Sequence, residues 1–359
     1  MMKLVVSVCS IMLVSCGPDP VQRASESPWS SKSQSMEVMN GARTGSSTPM
    51  LVDKRTVNET ALTILQVFLD STNPRFRANA IESMRFAPPE ILERAVQLGL
   101  GDENRGVRFV AAMMIGEELL CNSSILLEPL LLDESESVQV AAMFSLYKCG
   151  EKVNLNPIAM MLQSDNAELR GNAAMIIGQL GNPSAIEVIR EALKTTPNSI
   201  TPIRRRLINL QMAESLILLG ERQELEVIRA AVFSSIQESE VTALACQIAG
   251  NLRDVEVIST LESITVTPER YPDEIRLVAA TSLAQISPSR MPLDVVLRFS
   301  SNDSPTIRSQ CATALGVHGD SVSLGPLALM LKDIDPLVQI SAAGAVLRIN
   351  NKDSLAITH

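Results

Sequence analysis

The chain has few aromatic residues, few histidines and no excess of basic residues. Its 359 residues include one Trp, two Tyr, seven Phe and two His, and its formal net charge is −9. Nucleic-acid binding depends on a basic face and stacking rings, so no nucleic-acid partner is predicted. The scarcity of rings also argues against a sugar-binding platform. Because the histidines are only His318 and His359, the sequence predicts no metal site, no cofactor and no catalytic residue.

What the chain does contain is one short pattern that recurs nine times. In its fullest form it covers residues 107–116, and its first position is a branched or aromatic residue. These anchor positions are Phe76, Val107, Val138, Leu169, Ile208, Val241, Ile275, Ile307 and Val338. The intervals between them run from 31 to 39 residues, and such a period is typical of a solenoid.

The spacing inside each copy predicts an α-helix. Apolar or small residues occupy the anchor and the positions four, five and eight residues later, as in Leu169, Ala173, Ala174 and Ile177. That spacing places these residues in one stripe along a single face of a helix and does not fit a strand. A second amphipathic segment precedes each copy, and no strand is evident. We therefore expect an all-α fold: a right-handed α-α superhelix of about nine helical pairs over residues 56–359, each pair contacting only its neighbours in single file.

The turn before each inner helix pairs an acidic residue with Arg or Gln just after the anchor. Asp102 precedes Arg108, Asp133 precedes Gln139, and Asp303 precedes Arg308. The carboxylate can accept backbone N–H bonds at the helix start. The Arg can also reach the Asp of an adjacent unit, which predicts a ladder along the stack. An anion-binding stripe of arginines is the alternative interpretation, disfavoured because each Arg has its own carboxylate.

The motif resembles the HEAT-like repeat of the phycobilisome-lyase type. Residues 165–178 carry the fullest match, and the resemblance covers roughly residues 57–350. The resemblance implies the superhelical fold but little about function, since that family includes bilin lyase subunits, an iron hydroxylase and plain scaffolds. The hydroxylase, deoxyhypusine hydroxylase, uses paired His-Glu motifs on its inner helices. This chain has too few histidines for them.

The N-terminus predicts export and lipidation. Residues 1–15 have a basic start and a short apolar run, which is typical of a signal peptide and too short to span a bilayer of about 30 Å. Residues 13–16, Leu-Val-Ser-Cys, resemble the bacterial lipobox, so we expect cleavage between Ser15 and Cys16 and lipidation of Cys16. An ordinary signal peptide that leaves Cys16 as a free thiol is the alternative.

Residues 16–55 are then expected to form the lipidated Cys and a Ser/Pro-rich tether. The protein would be a membrane-anchored lipoprotein of the cell envelope, facing the periplasm or the exterior. Gly17, in place of Asp, resembles the signal for the outer membrane of a Gram-negative cell.

The remaining cysteines have no zinc-site spacing. Cys246 and Cys311 lie in the small-residue stripe two repeats apart, so they are expected to be core residues. Cys121 and Cys149 lie near the ends of neighbouring inner helices. A disulfide there is compatible with the pattern and is left open.

Two irregularities in the repeat are candidate partner sites. The 39-residue interval places Arg204, Arg205 and Arg206 at the start of an inner helix, where they could meet an acidic partner segment or lipid head groups or simply be solvated. The C-terminal stub after Ile349 is a poor polar cap, so we expect a partner or a second copy to cover that end. If a second copy of the chain covers that end, the result is end-to-end homo-association through the C-terminal repeat.

Paired carboxylates at Glu117/Glu118 and Glu134/Glu136 are expected to be solvated surface groups, with no apolar pocket around them. The leading functional hypothesis is a non-catalytic, membrane-anchored scaffold that binds a protein or peptide. The alternative is a lyase-type accessory subunit or enzyme acting on a chromophore or protein. That alternative requires a buried polar pocket on the inner helices, which the Ala, Met, Ile and Leu there do not suggest. A passive spacer is a third interpretation.

Overall fold

The computed structural model describes residues 53–197, 199–234 and 238–357, and these residues form helices, 3-10 turns and connecting loops without any strand. In chain order the helices are α1 (Lys54–Phe68), α2 (Pro74–Ser83), α3 (Pro89–Leu100), α4 (Arg105–Glu118), α5 (Glu136–Lys148), α6 (Asn156–Met161), α7 (Ala167–Leu180), α8 (Ile186–Lys194), α9 (Pro202–Leu218), α10 (Leu225–Val232), α11 (Ser239–Leu252), α12 (Ile258–Val266), α13 (Asp273–Ile286), α14 (Leu293–Leu297), α15 (Pro305–His318), α16 (Leu324–Met330) and α17 (Pro336–Ile357). The predicted all-α superhelix of helical pairs is confirmed.

The inner helices are the ones that carry the nine anchors. They are α2, α4, α5, α7, α9, α11, α13, α15 and α17. The outer layer is made of shorter helices, and in the third unit the predicted outer helix is replaced by two 3-10 segments, Cys121–Leu127 and Pro129–Leu132. Pro129 begins the second segment and has no N–H to continue the first one.

Helix starts follow the capping chemistry of their turns. Asn104 accepts a hydrogen bond from the backbone N–H of Gly106 at 2.9 Å, and Asn166 accepts one from Glu168 at 2.9 Å. Such Asn caps satisfy N–H groups that the helix itself leaves unpaired. Pro at the first position of α2, α9, α15 and α17 fits the same rule, since its missing N–H would be unpaired there anyway.

Small residues allow the inner helices to pack closely. Ala111, Ala112, Ala173 and Ala174 are fully buried between neighbours. A Cβ atom at Gly178 would lie 2.8 Å from the Cα of Ser215 on the next inner helix, so only glycine fits there. These contacts build one continuous core, and its units depend on their neighbours for burial.

The two ends of the stack meet. Helix α17 packs against α1 and α2 as well as against α15, so each inner helix, including the first and the last, has an inner helix on both sides. The Asn350 Nδ2 donates a hydrogen bond to the Asn58 Oδ1 at 3.0 Å, and Gly344 lies beside Ser83. The described chain is therefore a closed ring of nine units.

Ring closure corrects two expectations about the C-terminus. Helix α17 continues to Ile357 instead of ending near Ile349. The C-terminal face that was expected to need a partner or a second copy is covered by the chain's own first unit, so the prediction of end-to-end association on that face was wrong. The expectation that each pair contacts only its sequence neighbours holds within the stack but fails at this closure.

Candidate functional site

Ring closure leaves a central cavity of about 490 Å³ between inner helices, and this cavity is partly open to solvent. Its walls come from α2, α11, α13, α15 and α17, with two residues of the α4 turn. The lining residues extend from Arg75 in the first turn of α2 to Arg85 and Phe86 just after its end. The cavity therefore runs along the length of the inner helices, and its size is that of a small-molecule site.

The lining residues belong to a second helical stripe, distinct from the buried one. In most of the helices that line the cavity they recur three, six and ten residues after the anchor. In α11 they are Leu244, Gln247 and Asn251, and in α13 they are Val278, Thr281 and Gln285. This stripe carries amides and hydroxyls beside apolar side chains. The expectation that the inner helices lack a polar pocket was wrong, since it considered only the stripe that packs between helices.

One end of the cavity holds a cluster of charged groups. Arg85 is an ion-pair partner of Glu117, and its Nη1 lies 3.3 Å from the Glu118 Oε1. Burial raises the pKa of the Glu117 carboxyl to about 7, against the opposing effect of Arg85. The Glu117 side chain is 8% exposed, so the prediction that this pair is solvated was wrong for Glu117. Glu134 and Glu136 are exposed, as expected.

A second buried carboxyl, Glu214 on α9, lies at the same repeat position as Gln247 and Thr281. Burial raises its pKa to about 7, and a hydrogen bond with Asn251 opposes this shift. Asn251 in turn accepts from the Gln285 Nε2 at 3.4 Å. A chain of polar groups thus crosses three successive units, and a protonated Glu214 fits its apolar surroundings.

The predicted arginine ladder is confirmed at three of the junctions between units. The guanidinium groups of Arg77, Arg108 and Arg308 each bind both carboxylate oxygens of the Asp that lies 25 residues downstream, in the next unit. The pairs are Arg77–Asp102, Arg108–Asp133 and Arg308–Asp333, at 2.6 to 2.9 Å. Each Arg also donates to carbonyls of the turn before its own helix. The guanidinium groups of these three arginines are thus already bound to carboxylates and carbonyls of the chain itself. This favours the ladder over an anion-binding stripe.

The ladder is not continuous, since Arg276 pairs with Asp273 of its own turn and Arg170, before the 39-residue interval, binds no Asp of the next unit. Arg170 donates to the backbone carbonyl of Ala192 at 2.7 Å and to Thr196, because the residue 25 positions downstream of it is Thr195 and not Asp. Burial lowers the pKa of the Arg170 guanidinium. Sequence reasoning also missed a parallel contact on the outer helices, where Arg229 binds both oxygens of Asp254 at 2.7 and 2.8 Å.

Arg204, Arg205 and Arg206 do not form one flat patch. Arg204 lines a smaller pocket between α7 and α9, the Arg205 Nη2 donates to the Pro197 carbonyl at 3.2 Å, and Arg206 is an ion-pair partner of Glu238. The side chain of Arg206 is 44% exposed. Binding of a partner at these arginines stays a prediction.

The structure resolves the open question about cysteine pairing. Cys121 and Cys149 form a disulfide with a Cα–Cα distance of 5.3 Å, which lies in the usual range. Cys246 and Cys311 are buried free thiols, as predicted, and burial raises the pKa of each to about 12. Sequence spacing alone did not decide the Cys121–Cys149 pair because it depends on how the 3-10 segment places Cys121.

Among the described residues, no three His, Cys, Asp or Glu side chains gather as a metal site would require. In the same part of the chain no helix has both the length and the apolar content to cross a bilayer. Ser15 and Cys16 lie outside the described residues, together with the expected signal peptide and nearly all of the expected tether.

Comparison with known families gives one partial match. Residues 123–207 match the family model for HEAT repeats. No curated protein sequence matches the chain. The HEAT-like character of the repeat is thus supported in the third to fifth units.

Solved structures with similar chain paths share little sequence. The complex of CpcE and CpcF of phycocyanin lyase from Nostoc has 15% identity and a TM-score of 0.38, over 75% of this chain and 94% of the other. Human deoxyhypusine hydroxylase in complex with glycerol has 14% identity and a TM-score of 0.36, over 82% and 98%. An engineered protein has 16% identity and a TM-score of 0.32, over 85% and 97%. At these scores the likenesses carry no functional conclusion.

Proposed function

We propose that this chain is a non-catalytic HEAT-repeat scaffold that binds a protein or peptide partner in the cell envelope, held at the membrane by a lipid on Cys16. The observation that carries the proposal is the repeat itself: nine stacked units, each with an inner helix, of which residues 123–207 match HEAT repeats. Stacked repeats present long continuous surfaces, and proteins of this kind use such surfaces for binding.

The disulfide supports the envelope location. Cys121 and Cys149 are bridged, and disulfides persist mainly in oxidising compartments such as the bacterial periplasm or the cell exterior. The lipobox-like residues 13–16 also favour a location in the cell envelope. Neither feature would be expected in a protein of the reducing cytosol.

The anchor is tested by metabolic labelling with an alkyne analogue of palmitate in a bacterial host. The native chain is expected to take up label and fractionate with membranes, and Cys16→Ser is expected to do neither. Cys9→Ser is the matched control and keeps the label. A native chain that is exported without label would contradict the anchor while leaving the scaffold proposal intact.

The partner is tested by crosslinking in cells followed by mass spectrometry. The variant Arg204→Gln/Arg205→Gln/Arg206→Gln is compared with a control that loses the same charge at the exposed Arg270, Arg290 and Arg298. A partner that binds at Arg204, Arg205 and Arg206 is expected to lose its crosslinks in the variant of these three residues and to keep them in the control variant. Recovery of no specific partner by the native chain at any salt concentration would contradict the scaffold function.

The alternative, a lyase-type accessory subunit or enzyme acting on a chromophore or protein, gains support from the central cavity. It requires a polar pocket on the inner helices, and the lining amides Gln247, Asn251 and Gln285 supply one. Filling the cavity with Thr281→Phe separates the two functions. A scaffold keeps its crosslinked partner in this variant, whereas an enzyme or accessory subunit that uses the cavity loses its effect on the substrate.

A further inference from the structure

The central cavity contains an arginine whose charge is not neutralised by the ladder. Arg348 lies on α17 in the cavity wall, with its guanidinium carbon 5.2 Å from the centre of the Phe86 ring. Among the described residues, no carboxylate oxygen lies within ion-pair distance of it. Its neighbour Arg85 is different, because Arg85 already binds Glu117 and Glu118.

The electrostatic environment of Arg348 favours a bound anion. Burial, together with the positive charges of Arg85 and Arg253, lowers the pKa of its guanidinium to about 10. The group nevertheless stays charged at neutral pH. A positive charge that is partly removed from water and faces two like charges gains stability from a negative group placed against it.

The surroundings also limit the charge of that anion. Glu82, Glu117 and Glu118 all act on Arg85 at the same end of the cavity. Because these carboxylates repel any anion on Arg348, a dianionic phosphate is disfavoured more strongly there than a group with a single negative charge. A planar carboxylate also matches the two parallel N–H donors of an arginine.

The rest of the wall is suited to an aliphatic body. Leu244, Val278 and Ala345 line the cavity over the turns between its two ends, beside the shorter polar side chains of Thr281 and Thr313. A site of about 490 Å³ with mostly apolar walls and a few convergent polar groups is typical of small-molecule binding.

We propose that the ring cavity binds a small amphipathic monocarboxylate, of the medium-chain fatty-acid class, with its carboxylate on Arg348 and its chain along the apolar wall. Of the other two described arginines that line this cavity, Arg85 is already paired with Glu117 and Glu118, and Arg75 lines the opposite end. This binding function is independent of the proposed lipid anchor and protein partner.

The test is calorimetric titration of the purified full chain with decanoate, with decanol as the uncharged probe. Decanoate is expected to bind the native chain at least tenfold more tightly than decanol does. Arg348→Gln removes that preference, and Arg348→Lys restores part of it. Arg75→Gln is the matched control, because it removes a charge from the other end of the same cavity and leaves the preference unchanged.

Two further measurements keep the result interpretable. Thr281→Phe fills the cavity without touching Arg348 and is expected to abolish binding of both probes, while thermal unfolding checks that each variant is folded. The proposal is overturned if decanol binds as tightly as decanoate, if Arg75→Gln loses as much affinity as Arg348→Gln, or if native chain shows no binding. It is also overturned if a peptide with a free C-terminal carboxylate binds and decanoate does not.

Discussion

Asn350 and Asn58 are 292 residues apart in sequence, and the side-chain amide of the first donates a hydrogen bond to that of the second at 3.0 Å. The contact joins the last inner helix, α17, to the first outer helix, α1. Open solenoids end in units with a polar outer face, because an uncovered apolar face is exposed there. In this chain the two end faces cover each other, and a central cavity forms between the inner helices as a result.

The ladder predicts a measurable loss of stability when one pair is broken. Arg308→Met leaves Asp333 unpaired, and both side chains of this pair are about one-eighth exposed, at 12% and 13%. We expect the free energy of unfolding in urea at pH 7 to fall by about 2 kcal/mol, the range for hydrogen bonds to charged groups. Lys194→Met, which removes the exposed ion pair with Glu191, is the control and gives no measurable change.

The same pair predicts an acid dependence. The hydrogen bond from Arg308 holds the pKa of the Asp333 carboxyl below its usual range. This contribution is present above the unfolded pKa of about 3.9 and is lost as the pH falls through the folded value. The stability difference between the native chain and Arg308→Met should therefore shrink below about pH 4. A constant difference from pH 7 to pH 3 would contradict this account.

Glu214 predicts the opposite dependence. Its pKa is raised to about 7, so the folded chain holds a proton that the unfolded chain releases above about pH 4.3. Folding stability is therefore lost as the pH rises from about 4 to 7, and the penalty stays constant above that. Glu214→Gln is expected to raise the free energy of unfolding at pH 8 by up to about 3 kcal/mol relative to the native chain, with little effect at pH 4.

The control for Glu214 is Glu151→Gln, which changes an exposed carboxyl. It should leave the pH profile of urea unfolding unchanged. If Glu214→Gln destabilises the chain equally at pH 4 and pH 8, the side chain acts through its hydrogen bond with Asn251 and not through its protonation.

The disulfide predicts sensitivity to reductant. Cys121 and Cys149 close a loop over a sequence separation of 28, and such bridges typically contribute about 2–4 kcal/mol. Dithiothreitol is expected to lower the thermal midpoint of the native chain to that of the variant Cys121→Ala/Cys149→Ala, and to leave the variant unchanged. A reductant effect of equal size in both proteins would mean that the bridge does not stabilise the fold.

Much of the fold was predictable because it follows from local periodicity. The anchors place all nine inner helices, and the Asp and Arg spacing gives the ladder between units. Each of these depends on residues that are close in sequence or exactly one repeat apart. The third outer helix was predicted wrongly, since Pro129 divides the segment into two 3-10 pieces.

Ring closure and the cavity were harder to predict because they depend on the accumulated rotation of nine units, which no single repeat encodes. A signal for the cavity was nevertheless present. Positions six and ten after the anchors carry Gln247, Thr281, Gln285 and Arg348, which is an unusual number of polar groups for helices buried on both flanks. The burial of Glu117 follows from its own place ten residues after Val107.

The closed ring is tested most directly by linking its ends. In the variant Asn58→Cys/Asn350→Cys, a short bis-maleimide should join the two introduced thiols within one chain, and peptide mass spectrometry should identify the crosslink in most molecules. The single variants Asn58→Cys and Asn350→Cys control for reaction with other thiols. An open superhelix would keep these positions far apart, so efficient labelling of both thiols without a crosslink within the chain would contradict the account.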